Sequence, residues 1–136
     1  MPYSRLMSEC PPHNPVGWFE IYVSDLGRAR AFYESVFRLS LKVLPGAPVE
    51  MVAFPQAGCE ERLPGACGAL VRMDGFESGK NSVLVYFSCA DCADEAARVE
   101  PAGGSVVKPK FAIGPYGHIA LVKDTEGNLI GLHSCV

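Results

Sequence analysis

Residues 19–37 read FEIYVSDLGRARAFYESVF, and two periodicities meet inside them. Phe19, Ile21 and Val23 alternate with Trp18, Glu20 and Tyr22, so a strand here carries one apolar face and one mixed face. Leu26, Ala29, Tyr33, Val36 and Phe37 then recur at helical spacing. Between them stands Asp25, whose carboxylate can accept from the unpaired amides of a first helical turn. The stretch predicts a strand over about 16–23, a cap, and a helix over about 26–37. Any chemistry belongs on the mixed face.

The same pattern returns 66 residues later. Val85, Phe87 and Cys89 alternate with Leu84, Tyr86 and Ser88, Asp91 stands where a helix can begin, and Gly103-Gly104 stops that helix after about Glu100. Short strands are expected over 39–44, 49–54 and 69–73 in the first half. In the second they are expected around Val106-Val107, over 118–122 and over 128–133, the last two joined by the turn Asp124-Thr125-Glu126-Gly127. Residues 55–68 and 1–15 read as irregular, being rich in Gly, Pro and charge or lacking any period. Each half is therefore strand, helix, then three strands. The predicted fold is α+β: two βαβββ modules, 16–73 and 82–136, joined by a connector at 74–81 and preceded by an arm at 1–15. Together they are expected to form a curled mixed sheet whose mixed faces share a cleft.

Composition narrows the partners. A chain of 136 residues holds one domain of ordinary size. A net charge of -3 with scattered Lys and Arg gives no basic stripe for nucleic acid. No apolar run is long enough to span a bilayer and no signal segment is evident, so no membrane role and a cytoplasmic location are expected. The six cysteines need not be staples in a chain of this size. Cys89 and Cys92 form a C-x-x-C at a helix start, which is the setting of a redox pair. The plainer reading makes Cys89 part of an apolar strand face and Cys92 a buried helix position. It is preferred, because no Pro or Trp context accompanies the pair. His13, in the arm, reads as a surface histidine.

The phrase FEIYVSDLGRARAFYESVF, its echo VLVYFSCADCADEAARVEPAGG and the ending GHIALVKDTEGNLIGLHS resemble the glyoxalase, bleomycin-resistance protein and extradiol dioxygenase superfamily, also called vicinal oxygen chelate proteins. The likeness covers residues 16 to 134. It implies paired βαβββ modules with a cleft between them and, in the family's metalloenzymes, a divalent metal chelating two neighbouring substrate oxygens. Carried over by motif, the first ligand position is Trp18, seven before the capping Asp, and its second-module match is Leu84. The last-strand position, four after the D-x-x-G glycine, is Gly131, and the remaining one falls near Gly68 to Leu70, where neither His nor Glu occurs. None of these offers a metal a side-chain lone pair, so no metal and no cofactor are expected. The resemblance also implies a homodimer, made either by packing complete clefts together or by exchanging modules.

By alternation, the mixed faces present Trp18, Glu20 and Tyr22, then Leu84, Tyr86 and Ser88, then Leu129, Gly131 and His133. Glu20 and His133 are the expected catalytic or anchoring pair, since a carboxylate raises the pKa of a neighbouring imidazole and a desolvated pair can act as a general base. A structural ion pair is the competing reading. Trp18, Tyr22, Leu84, Tyr86, Ser88, Gly131 and His118 are the expected ligand-binding residues. A shifted metal site of Glu20, His118 and His133 is a further alternative. Two functions follow: a metal-free module binding a small, partly aromatic or apolar molecule, or a metal-independent lyase or isomerase in which Glu20 and His133 transfer protons.

Overall fold

The computed structural model describes residues 16, 18–55, 65–81 and 83–136. The arm with His13 and most of the 55–68 loop lie outside the described residues. The first module runs β1 (Trp18–Tyr22), α1 (Leu26–Phe37), β2 (Lys42–Val43), β3 (Glu50–Ala53) and β4 (Cys67–Arg72). The second runs β5 (Tyr86–Ser88), α2 (Cys92–Val99), β6 (Ser105–Ala112), a 3-10 turn at Gly114–Tyr116, β7 (His118–Lys123) and β8 (Leu129–Ser134). The two modules have identical topology. Each first strand pairs parallel with the last of its module, and the other pairings are antiparallel, giving sheet orders β1-β4-β3-β2 and β5-β8-β7-β6. No helix among the described residues is long and apolar enough to cross a membrane.

Helix α1 starts where its cap requires. Asp25 is extended and its carboxylate accepts from the Arg28 amide at 3.0 Å. Its core face is Ala29, Phe32, Tyr33 and Val36, all buried, with Phe32 an addition to the stripe read from sequence. Asp91 repeats the device for α2, accepting from the Ala93 amide at 3.0 Å. The strands differ more from expectation. Cys67 and Gly68, expected in a loop, already belong to β4. Strand β6 extends over eight residues where only Val106-Val107 signalled it. Pro109 lies in this strand, and the register shifts between Val106 and Lys108 and again before Phe111. An edge strand tolerates both the missing amide and the bulges.

One core joins the modules. The rings of Phe19, Tyr33, Phe37 and Phe54 surround Phe87, which stacks on Phe37 at 4.5 Å and meets Phe19 edge-on at 6.2 Å. Gly68 makes room for this cluster, because a Cβ there would enter the Phe19 ring. A second seam is polar. The β7–β8 turn carries three buried polar side chains, Asp124, Glu126 and Asn128, and reaches back to the junction of β1 with α1. Glu126 accepts from the amides of Ser24 and Asp25, both at 3.0 Å, from Arg28 Nε at 2.7 Å and from Thr125 Oγ1 at 2.8 Å. Burial alone would raise its pKa, but these donors, Arg28 foremost, outweigh that and hold it at about 2. Asp124 accepts from the buried Tyr33 hydroxyl at 2.8 Å. Burial, then the charge on Asp124, pushes the Tyr33 pKa well up. Asn128 Nδ2 donates to the Tyr22 carbonyl at 2.9 Å. Every buried carboxylate of the turn has partners, as burial demands.

Candidate functional site

Two outward sheet faces hold most of the predicted site residues. Because the core faces of β1 and β5 meet through Phe19 and Phe87, alternation puts Trp18, Glu20 and Tyr22 on the far side of sheet one. It puts Tyr86 and Ser88 on the far side of sheet two. On the first face Glu20 is fixed from both sides. Trp18 Nε1 donates to its Oε2 at 3.2 Å and the Tyr22 hydroxyl donates to its Oε1 at 2.6 Å. The bond to Glu20, then burial, then the Glu20 charge raise the Tyr22 pKa. Tyr22 in turn stacks on Phe76 at 4.8 Å. Phe76 comes from the connector, where the sequence offered only Gly and charge as signals, so it was missed.

On the second face the Tyr86 ring lies over Gly131, its register partner, and a Cβ at 131 would run into that ring. Ser88 lies beside His133 in register. His133 Nε2 stands 2.7 Å from the Tyr116 carbonyl, which accepts, so Nε2 carries the proton. This contact comes from the 3-10 turn just before His118, whose sequence Pro115-Tyr116-Gly117 reads either as part of a cleft rim or as a plain turn. Trp18 and Tyr86 remain 39% and 47% exposed, large values for such rings.

The structure does not bring all the predicted residues together. Among the described residues no hydrogen bond, ion pair or ring contact joins the two outward faces, and Glu20 and His133 keep separate partners. Within one chain both sheets devote their other face to the same core. His118 pairs across β7 and β8 with Ser134, while His133 pairs with Ile119, so His118 belongs to the core side of the sheet. It lies close enough to Asp91 to help lower that carboxylate's pKa, behind the Lys110 hydrogen bond and the Ala93 amide. Leu84 precedes β5 and is half-buried. Two open depressions, about 440 and 530 Å³, flank residues 72–74 instead. Their linings contain none of the predicted site residues.

Residues 16–132 match the Glyoxalase/Bleomycin resistance protein/Dioxygenase superfamily. The chain belongs to this superfamily. Among curated proteins it is similar to CFP32 of Mycobacterium bovis, provisionally named a glyoxylase, with 23% identity over 129 residues, 85% of this chain and 43% of that one. The chain thus spans less than half the length of the curated relatives it matches. Among solved structures it is similar to TnmS3, an antibiotic binding protein from Streptomyces sp. CB03234. The identity is 27% and the TM-score 0.62, over 92% of this chain and 97% of that one. A glyoxalase/bleomycin resistance protein from Albidiferax ferrireducens T118 shares the fold at 17% identity and TM-score 0.65, over 88% and 98%.

The superfamily's metal raises a question of fit. Trp18 lies beside Cys67 in the parallel pairing and Gly68 faces the core against Phe19. Gly131 lies under the Tyr86 ring, where a glutamate side chain has no room. Among the described residues the donor set does not fit the superfamily's metal. Among the described residues no group of three or more His, Cys, Asp or Glu side chains converges, so Glu20, His118 and His133 are not gathered into a triad. Nor does Cys89 of the C-x-x-C have the lowered pKa that an attacking redox thiol needs. Cys92 is fully buried. Burial first, then the nearby Glu95, pushes the Cys89 thiol up to about 12.

Proposed function

We propose that this superfamily member binds a small, partly aromatic or apolar molecule between an outward face of module one and an outward face of module two. In this reading it works without a metal, as a cytoplasmic homodimer, and the second copy supplies the facing module. The observation that carries the reading is the pair of half-exposed rings, Trp18 and Tyr86, each seated on its own sheet and left uncovered by a single chain. Flat rings on rigid strands lose little entropy when a ligand stacks on them. Strands β1 and β5 also end their sheet orders, and among the described residues one edge of each pairs with no strand, which suits a second copy. The antibiotic-binding role of TnmS3 supports the same direction. Proton transfer between Glu20 and His133, the enzymatic alternative, draws less support, since they share no contact within the chain.

The chain contains a single tryptophan, so one indole N–H resonance reports on Trp18. Titrating the labelled protein with 1-naphthylmethanol should shift that resonance saturably, and Tyr86→Ala should abolish saturation. A resonance that stays fixed up to about 1 mM probe, the weak end of specific binding, would overturn the reading.

A further inference from the structure

Glu20 differs from the ion-paired carboxylates among the described residues; like Asp25 and Asp124 it is hydrogen-bonded without a cation, but both its donors are side chains on an outward face. Glu126, Glu34, Asp74, Glu77, Glu95 and Asp91 each meet an Arg or Lys within ion-pair distance. Glu20 has no cationic partner among the described residues; its two hydrogen bonds come from the uncharged Trp18 and Tyr22. Its row across the sheet continues through Ala69 and Ala53 to Lys42, three strands and so about 14 Å away. The flanking groups are rings, Trp18 on one side and the stacked Tyr22–Phe76 pair on the other. In module two, by contrast, Lys108 Nζ sits 4.1 Å over the Phe111 ring, so that face supplies its own cation.

A carboxylate held in place by two ring-borne donors, with aromatic surface beside it, suits an organic cation, since ring faces next to a bound charge attract it. Resting on the binding role proposed above, we infer that the module one face selects ligands that carry a protonated or quaternary amine on a flat or apolar body. The amine takes the outward lone pairs of Glu20 and the body lies along Trp18 and the Tyr22–Phe76 stack. Two hydrogen bonds fix the carboxylate before the ligand arrives, so little ordering remains to be done on binding.

Calorimetry on the full chain decides this with two near-isosteric probes, 1-naphthylmethylammonium and 1-naphthylmethanol, at pH 7 and low salt. The ammonium should bind at least about tenfold tighter, and raising the salt should shrink that ratio. Glu20→Gln should bring the two probes to equal affinity. Glu100→Gln, at an exposed position just past α2, should keep the tenfold ratio. Equal affinities in the unmodified chain, a ratio insensitive to salt, or a ratio that survives Glu20→Gln each overturn the cation assignment and leave the binding role standing. Heat from neither probe overturns both. The salt series uses the unmodified chain, so it decides the matter even if Glu20→Gln misfolds.

Discussion

At matching positions of the two repeats the core-facing side chains are Phe19, Ile21 and Val23 in one and Val85, Phe87 and Cys89 in the other. All six are apolar. The outward side chains are Trp18, Glu20 and Tyr22 against Leu84, Tyr86 and Ser88, and no matched pair keeps the same residue. One core has to be filled from both sides, so its contributors answer to the same physical demand. The outward faces have no such common demand, and their side chains differ.

The contrast has a measurable stability side. Phe87 touches four rings of module one, so Phe87→Ala should destabilise by about 3–5 kcal/mol in denaturant unfolding. Tyr86→Ala, one residue away on the half-exposed face, should cost less than about 1 kcal/mol. Equal losses would erase the distinction between the faces.

The seam between repeats gives the next effect. The pKa of Glu126 lies at about 2 in the fold against an ordinary 4.5. A depressed carboxylate contributes stability that is present above 4.5 and is lost as the pH falls toward 2. The expected loss across that window is about 3 kcal/mol, read from urea midpoints at successive pH values. Glu126→Gln should lower stability at neutral pH and flatten the acid limb. An unchanged acid limb would mean the turn does not lock module two onto the α1 junction.

A smaller effect concerns the thiols. Cys135 is exposed, Cys92 is buried and Cys89 is held near 12. Iodoacetamide near pH 7 should label Cys135 in the native chain and leave Cys89 and Cys92 unmodified. Rapid alkylation of Cys89 would return the C-x-x-C to consideration as a redox pair.

Much of the architecture was legible in the sequence for local reasons. Period two from 18 to 23, period 3.6 from 26 to 37 and the caps Asp25 and Asp91 are each decided within a few residues, and the structure matches them. The repeat at 66 residues followed from the same local signals. Less legible was everything settled by long-range packing. That the two sheets share one core and face outward depends on Phe87 entering the ring cluster of module one, which no window of sequence reveals. Phe76 stacks on Tyr22 across 54 positions of chain, and Glu126 reaches Ser24 over 102. The sequence Asp124–Gly127 signals only a turn, although three buried polar side chains there and at Asn128 make it a seam. His118 and His133 both fall in strands, and only the β7–β8 register shows that they belong to opposite faces.

The most direct test of the central claim mixes two defective chains. Trp18→Ala and Tyr86→Ala proteins, each binding the naphthyl probe weakly, are combined, unfolded and refolded together, and tight sites are counted by calorimetry. If a cleft joins module one of one copy to module two of another, random pairing should restore about a quarter of the sites. If each site belongs to a single chain, or if the faces bind nothing, the mixture should recover none.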